Sequence, residues 1–111
     1  MTVTALCLIE SKDANNAITT QYTAGNGTRT IIDKFTSTNY TAGSLTLTVY
    51  IVPFGSAAGN SNLIKIKTLA AGECYVWPEV VGHTLNPGDF ISTNASAASS
   101  INIRASGREN T

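Results

Sequence analysis

SLTLTVYIV, residues Ser44–Val52, decides how this chain folds. Leu45, Leu47, Val49 and Ile51 take every second position, and Thr46, Thr48 and Tyr50 fill the positions between. Successive side chains of a β-strand point to opposite faces, so the alternation predicts a strand with one buried face. A helix would carry its apolar residues three and four apart, and no window of eleven or more residues shows that stripe. Pro53 has no N–H to give a ladder and ends the segment, and PFGSAAGNSN after it is a loop of small residues.

The same signals recur on either side. Val3–Ile9 is a short apolar run of strand formers, and Ile18–Thr23 follows a polar break, SKDANN. AGNG, Ala24–Gly27, is turn chemistry, and Thr30–Thr38 is the next strand. In LIKIKTL, Leu63–Leu69, Ile64 and Ile66 are expected inward and Lys65 and Lys67 outward, where lysines discourage edge-to-edge pairing. Cys74–Val80 is expected as a strand bent at Pro78. Phe90–Thr93 and Ile101–Ala105 complete the set, joined by a Ser/Ala hairpin loop in NASAASS. About eight or nine short, regularly spaced strands predict an all-β fold, a single antiparallel β-sandwich over residues 1–111 with jelly-roll-like connectivity. Residues 1–12 are expected to form the first core strand or an arm that adds a strand to a neighbour.

Two corners repeat. Leu69-Ala-Ala-Gly-Glu and Leu85-Asn-Pro-Gly-Asp share a leucine, two residues, a glycine and an acid. Pro87-Gly88 suits a type II turn, with fixed φ followed by a residue that tolerates positive φ, and Ala71-Gly72 suits it less rigidly. Glu73 and Asp89 then stand where a carboxylate accepts hydrogen bonds from turn amides. Both corners are expected to be turns rather than chemical sites.

Composition limits the function classes. The formal net charge is zero and only 13% of the 111 residues are charged, against about 25% in an average soluble protein. Charge-poor surfaces associate readily, which points to life within an assembly. The seven basic residues are scattered, whereas nucleic-acid binding draws on clustered Lys and Arg. No apolar run reaches the roughly eighteen residues that span a bilayer. The opening MTVTALCLIESK has no basic leader before a long apolar block, so no signal peptide is expected. Cys7 and Cys74 belong to no CxxC or Cys/His cluster and are expected as buried free thiols, a disulfide between them requiring the fold to bring them together.

Catalytic patterns are lacking too. His83 is the sole histidine, without the His-x-His spacing of a metal site, and is expected in a loop. No serine stands in a Gly-x-Ser-x-Gly elbow, and no carboxylate pair stands out for glycoside chemistry. The expectation is therefore no enzyme, no cofactor and no metal. Aromatic residues are the candidates for partner contact: Phe54 in its Gly-rich loop, Tyr40, and Tyr75 and Trp77 in CYVWPEVV. One face of CYVWPEVV must be core, so either Tyr75 and Trp77 or Cys74 and Val76 look outward or into a partner. A stacking platform of Tyr75, Trp77 and Tyr40 would instead suit a carbohydrate-binding module.

From Tyr22 onward the order of motifs resembles a small β-sandwich module of tailed-bacteriophage virion proteins. The motifs are Tyr22–Gly27, Thr36–Asn39, Thr46–Pro53, Gly55–Leu63, Leu69–Glu73, Leu85–Ile91 and Ser106–Glu109. The resemblance brings no catalytic residues. It implies a virion structural protein, most directly a capsid decoration or cement protein that binds the major capsid protein as a homo-oligomer, with trimers suited to three-fold sites. Tail, neck, collar and fibre-attachment components are the other roles it implies, with the virion exterior as the location.

Overall fold

A computed structural model describes residues 2–111. Its strands are β1 (Val3–Asp13), β2 (Thr19–Thr23), β3 (Arg29–Asn39), β4 (Leu45–Val52), β5 (Leu63–Leu69), β6 (Cys74–Val76), β7 (Thr84–Leu85), β8 (Phe90–Ala95) and β9 (Ile101–Asn110). Among the described residues the one helical segment is a short 3-10 turn at Asn60–Asn62. The first sheet runs β1-β9-β3-β6, with β7 also on β3, and the second runs β2-β8-β4-β5. All pairings are antiparallel. β6 and β7 share one strand position beside β3, so the order is that of a jelly roll.

The alternation that predicts β4 operates in space. Leu47 and Val49 are fully buried, and Thr46 and Thr48 lie on the opposite face. Ile32, Phe35 and Ile103 of the first sheet meet Leu47, Val49 and Ile91 of the second in one core. Trp77 follows β6 and is sealed in that core, edge-on to Phe35 at 5.9 Å, with its indole N–H donating to Ser37 Oγ at 2.8 Å. A buried indole N–H needs such an acceptor.

The two repeated corners are the same device used twice. Glu73 N donates to Ala70 O (3.0 Å) and Asp89 N to Asn86 O (2.9 Å). Gly72 and Gly88 hold φ of 74° and 88°, the positive value a type II turn requires at its third position. The acid then caps its own turn: Ala70 N donates to Glu73 Oε1 at 2.8 Å, and Asn86 N to Asp89 Oδ2 at 3.0 Å. Each leucine is fully buried. Both corners carry the chain from one sheet to the other, β5 to β6 and β7 to β8.

Several expectations need correction. β1 runs on to Asp13 and β9 to Asn110, because each is the other's partner along its length. The Cys74–Val80 segment is a strand only to Val76. From Pro78 it turns, with Val80 N and Val81 N both donating to Trp77 O. NASAASS is an arch between sheets rather than a hairpin loop, since β8 and β9 lie in different sheets. In β5, Ile64 packs against the core as expected, but Ile66 is exposed, and Lys65 and Lys67 face the interior side. Their partners Val49 and Leu47 are inward-facing, and directly paired residues share a face. Cys7 and Cys74 are both free and exposed, because Leu8 and Tyr75 take the inward positions beside them.

One buried polar side chain ties the β3 end of the sandwich together. Asn39 Nδ2 donates to Gly43 O (2.7 Å), Leu69 O (3.1 Å) and Ala70 O (3.2 Å). Its Oδ1 accepts from Thr41 N (3.0 Å) and Thr41 Oγ1 (2.7 Å). Asn39→Ala strips partners from the β5–β6 corner and is predicted to lower stability in urea titration by about 3 kcal/mol. Asn39→Asp keeps the acceptor but loses the donors, and is predicted to be nearly as damaging.

Candidate interaction surface

The four aromatic candidates do not converge. Trp77 is interior and cannot contact a partner or stack on a sugar, which removes the platform with Tyr40 and Tyr75. Tyr40 is exposed just beyond β3, at the end where β4 begins, and Phe54 is exposed beyond the other end of β4. Eight residues of β4 separate the two ends, roughly 25 Å of strand.

Tyr75 is half-buried in a polar rim that closes the gap between the edge strands β5 and β6. Lys65 Nζ is 3.0 Å from Glu79 Oε2 and 3.5 Å from the Tyr75 hydroxyl, which donates to Glu79 at 3.2 Å. Lys67 lies 4.8 Å over the Tyr75 ring and 3.9 Å from Glu73. The inward register of both lysines is thereby accounted for: their alkyl stems lie over the core while the ammonium groups reach the rim. The hydrogen bond to Glu79, then that to Tyr75, raises the Lys65 pKa. Lys65 in turn holds the Glu79 carboxyl below its ordinary range.

A second Tyr–Glu contact links the sheets on the β2 side. The Tyr22 hydroxyl donates to the Glu109 carboxylate and lies 2.8 Å from Thr30 Oγ1. Burial first, then the Glu109 carboxylate, pushes this phenol up to about 12.

Phe54 is 78% exposed, yet it is not loosely held. Its N–H donates to Asp89 Oδ1 at 2.9 Å, so Asp89 both caps its turn and fixes the β4–β5 loop. The ring lies over Gly88, where a Cβ would come within 2.5 Å of it. A glycine is needed here both for its φ and for this close approach.

His83 is exposed, and its backbone N and O pair with Val80 O (3.3 Å) and Ile32 N (3.1 Å). Among the described residues no group of three or more His, Cys, Asp or Glu could hold a metal ion, and no helix is long and apolar enough to cross a membrane. Two shallow grooves, of about 230 Å³ beside Lys34, Arg104 and Ser106 and about 260 Å³ beside Arg29 and Pro87, are open to solvent. Both fall below the roughly 300–1,000 Å³ of small-molecule sites. Among the surface features the fold builds are the exposed Phe54 and the free edges of the two sheets.

No protein-family model matches the chain, and no curated protein matches it. Among solved structures, a chain from Bacillus endospore appendages, described as a novel family of disulfide-linked pili, shares 14% identity at a TM-score of 0.51. The match covers 99% of this chain and 87% of that one. A chain of infectious bursal disease virus, Gt strain, gives 11% identity and a TM-score of 0.44 over 97% of this chain and 32% of that one. At these identities the first likeness is one of fold.

The two Tyr–Glu contacts have opposite pH signatures. Glu79 is depressed when folded, so its contribution is present above its ordinary value of 4.5 and lost as pH falls through the folded value. Tyr22 is raised, so its contribution is intact below 10.0 and lost as pH rises toward about 12. Glu79→Gln is predicted to flatten the acid limb of a urea-stability profile slightly, because the pair is partly exposed. Tyr22→Phe is predicted to flatten the alkaline limb.

Proposed function

We infer that this chain is a non-enzymatic structural protein of a virion: a decoration protein that binds the major capsid protein on the outside of the head and stabilises it. Phe54 carries the reading. It is the most exposed large apolar side chain among the described residues; Asp89 holds its backbone N–H, and its ring lies over Gly88. An exposed aromatic ring on a backbone that is already tied down costs less ordering on entering a partner's pocket, which makes it an effective interface anchor.

Other features support the same role. The low density of charge favours association over a free existence. The order of motifs from Tyr22 to Glu109 resembles modules of tailed-phage virions. The fold is also used by a chain of assembled, disulfide-linked pili. Many copies of a rigid sandwich, each burying apolar surface across a capsomer boundary, would oppose the pressure of packaged DNA without touching it.

Purified particles test this reading by copy number. Decoration predicts hundreds of copies per particle, and a handful would instead place the chain in a tail or neck. Phe54→Ala is predicted to weaken rebinding to stripped particles by about tenfold or more with no change in the unfolding midpoint. Undiminished rebinding would remove Phe54 as the anchor.

A further inference from the structure

The first sheet ends in two strands that each pair on one side only, β1 with β9 and β6 with β3. Asn39 N donates to Glu73 O and Trp77 N to Phe35 O, flanking the β6–β3 ladder. Main-chain groups alternate in direction along a strand, so those of Tyr75 face β3 and those of Cys74 and Val76 face out of the sheet. On β1, Thr2 and Thr111 exchange both hydrogen bonds at 2.9 Å. By the same alternation Thr4 and Leu6 face β9, and Val3, Ala5 and Cys7 face out. Val3–Cys7 pairs with β9 in unbroken register and contains no charged residue and no proline, two of the devices that protect a free edge; the β-bulge comes only after Cys7.

Polarity and side-chain facing also match. β1 and β3 are both antiparallel to β9, and β6 is antiparallel to β3, so β6 is antiparallel to β1. A second copy in the same orientation therefore presents its β1 antiparallel to β6. Cys7 and Cys74 are exposed on the outer face of this sheet, at its opposite edges. Within one chain they cannot bridge. Two strands intervene, placing them roughly 14 Å apart across the sheet, beyond the reach of a disulfide.

We propose that copies of this chain join edge to edge, β1 of one extending the first sheet beyond β6 of the next, and that Cys7 and Cys74 form a disulfide across the joint. With Cys7 opposite Cys74, Leu6 falls beside Tyr75 on the inner side and Ala5 beside Val76 on the outer side. Directly opposed residues in such a pair have Cα atoms about 5.5 Å apart, inside the disulfide range. Thr38 pairs with both Cys74 and Asn102, while Cys7 pairs with Ser106 four residues further along β9. Successive copies are therefore staggered by about 13 Å along the strands. The contact is heterologous, giving a ring where the rotation closes and a fibre where it does not.

The covalent step needs an oxidant, and an oxidised low-molecular-weight disulfide supplies it. The thiolate of Cys74 attacks that disulfide and expels one thiolate. Cys7 of the next copy then attacks the mixed disulfide at the Cys74 sulfur and expels the second. Two protein thiols become one disulfide, and the two protons leave on two small thiols. This joint goes beyond a decoration role, and its failure would leave the particle copy number unaffected.

The test is non-reducing electrophoresis of the purified full chain with oxidised glutathione. Wild type is expected to give oligomers that reductant collapses to monomer. Cys7→Ser and Cys74→Ser are each expected to stay monomeric, and their equimolar mixture to give a dimer whose digest contains the Cys7–Cys74 peptide pair. Ala5→Pro removes an outward N–H that β9 does not use and keeps both thiols, and is expected to slow coupling by about tenfold or more. Monomeric wild type, self-coupling of either serine variant as fast as the mixture, or an unslowed Ala5→Pro would each overturn the joint.

Discussion

The inward turn of Trp77 is the contact on which this side of the sandwich depends. With the indole edge-on to Phe35 and bonded to Ser37, the register of β6 is fixed. Alternation then sets Tyr75 inward and Cys74 and Val76 outward. Tyr75, also edge-on to Trp77 at 5.4 Å, becomes the platform over which Lys65 and Lys67 lie. A one-residue slip would bury the thiol, expose the indole and leave both lysines facing a greasy gap.

Much of the fold was legible because its signals are local. The alternation in SLTLTVYIV and the two Gly-acid corners depend on neighbours in sequence, and both appear as read. What was illegible depends on a partner strand. LIKIKTL has period two with either set inward, and its charges alone favour the lysines outward. The choice is made by pairing with Leu47 and Val49 and by the rim that receives the ammonium groups. NASAASS looks like a hairpin until β8 and β9 prove to lie in different sheets. Cys7 and Cys74 read as small apolar residues, and their exposure follows from edge positions that only strand order defines. At Asn39 no local signal announces that its amide will reach carbonyls thirty residues away.

The candidate surface was legible in part. Phe54, in a flexible-looking loop, is free by its sequence either to stand out or to fold back over the sandwich end; it is exposed, and its support by Asp89 and Gly88 joins two segments distant in sequence. That link gives the second corner a purpose beyond turning the chain, since one carboxylate caps the turn and orients the anchor. The surface offers an exposed aromatic at one end and, at the two edges of the first sheet, strands that each carry an exposed thiol.

Amide hydrogen exchange on the isolated, reduced chain tests the β6 register most directly. The amides of Tyr75 and Trp77 should be protected, and those of Cys74 and Val76 should exchange close to the rate of free peptide. Protection of Cys74 and Val76 with rapid exchange at Tyr75 and Trp77 would contradict the register, the outward thiol and the open edge together.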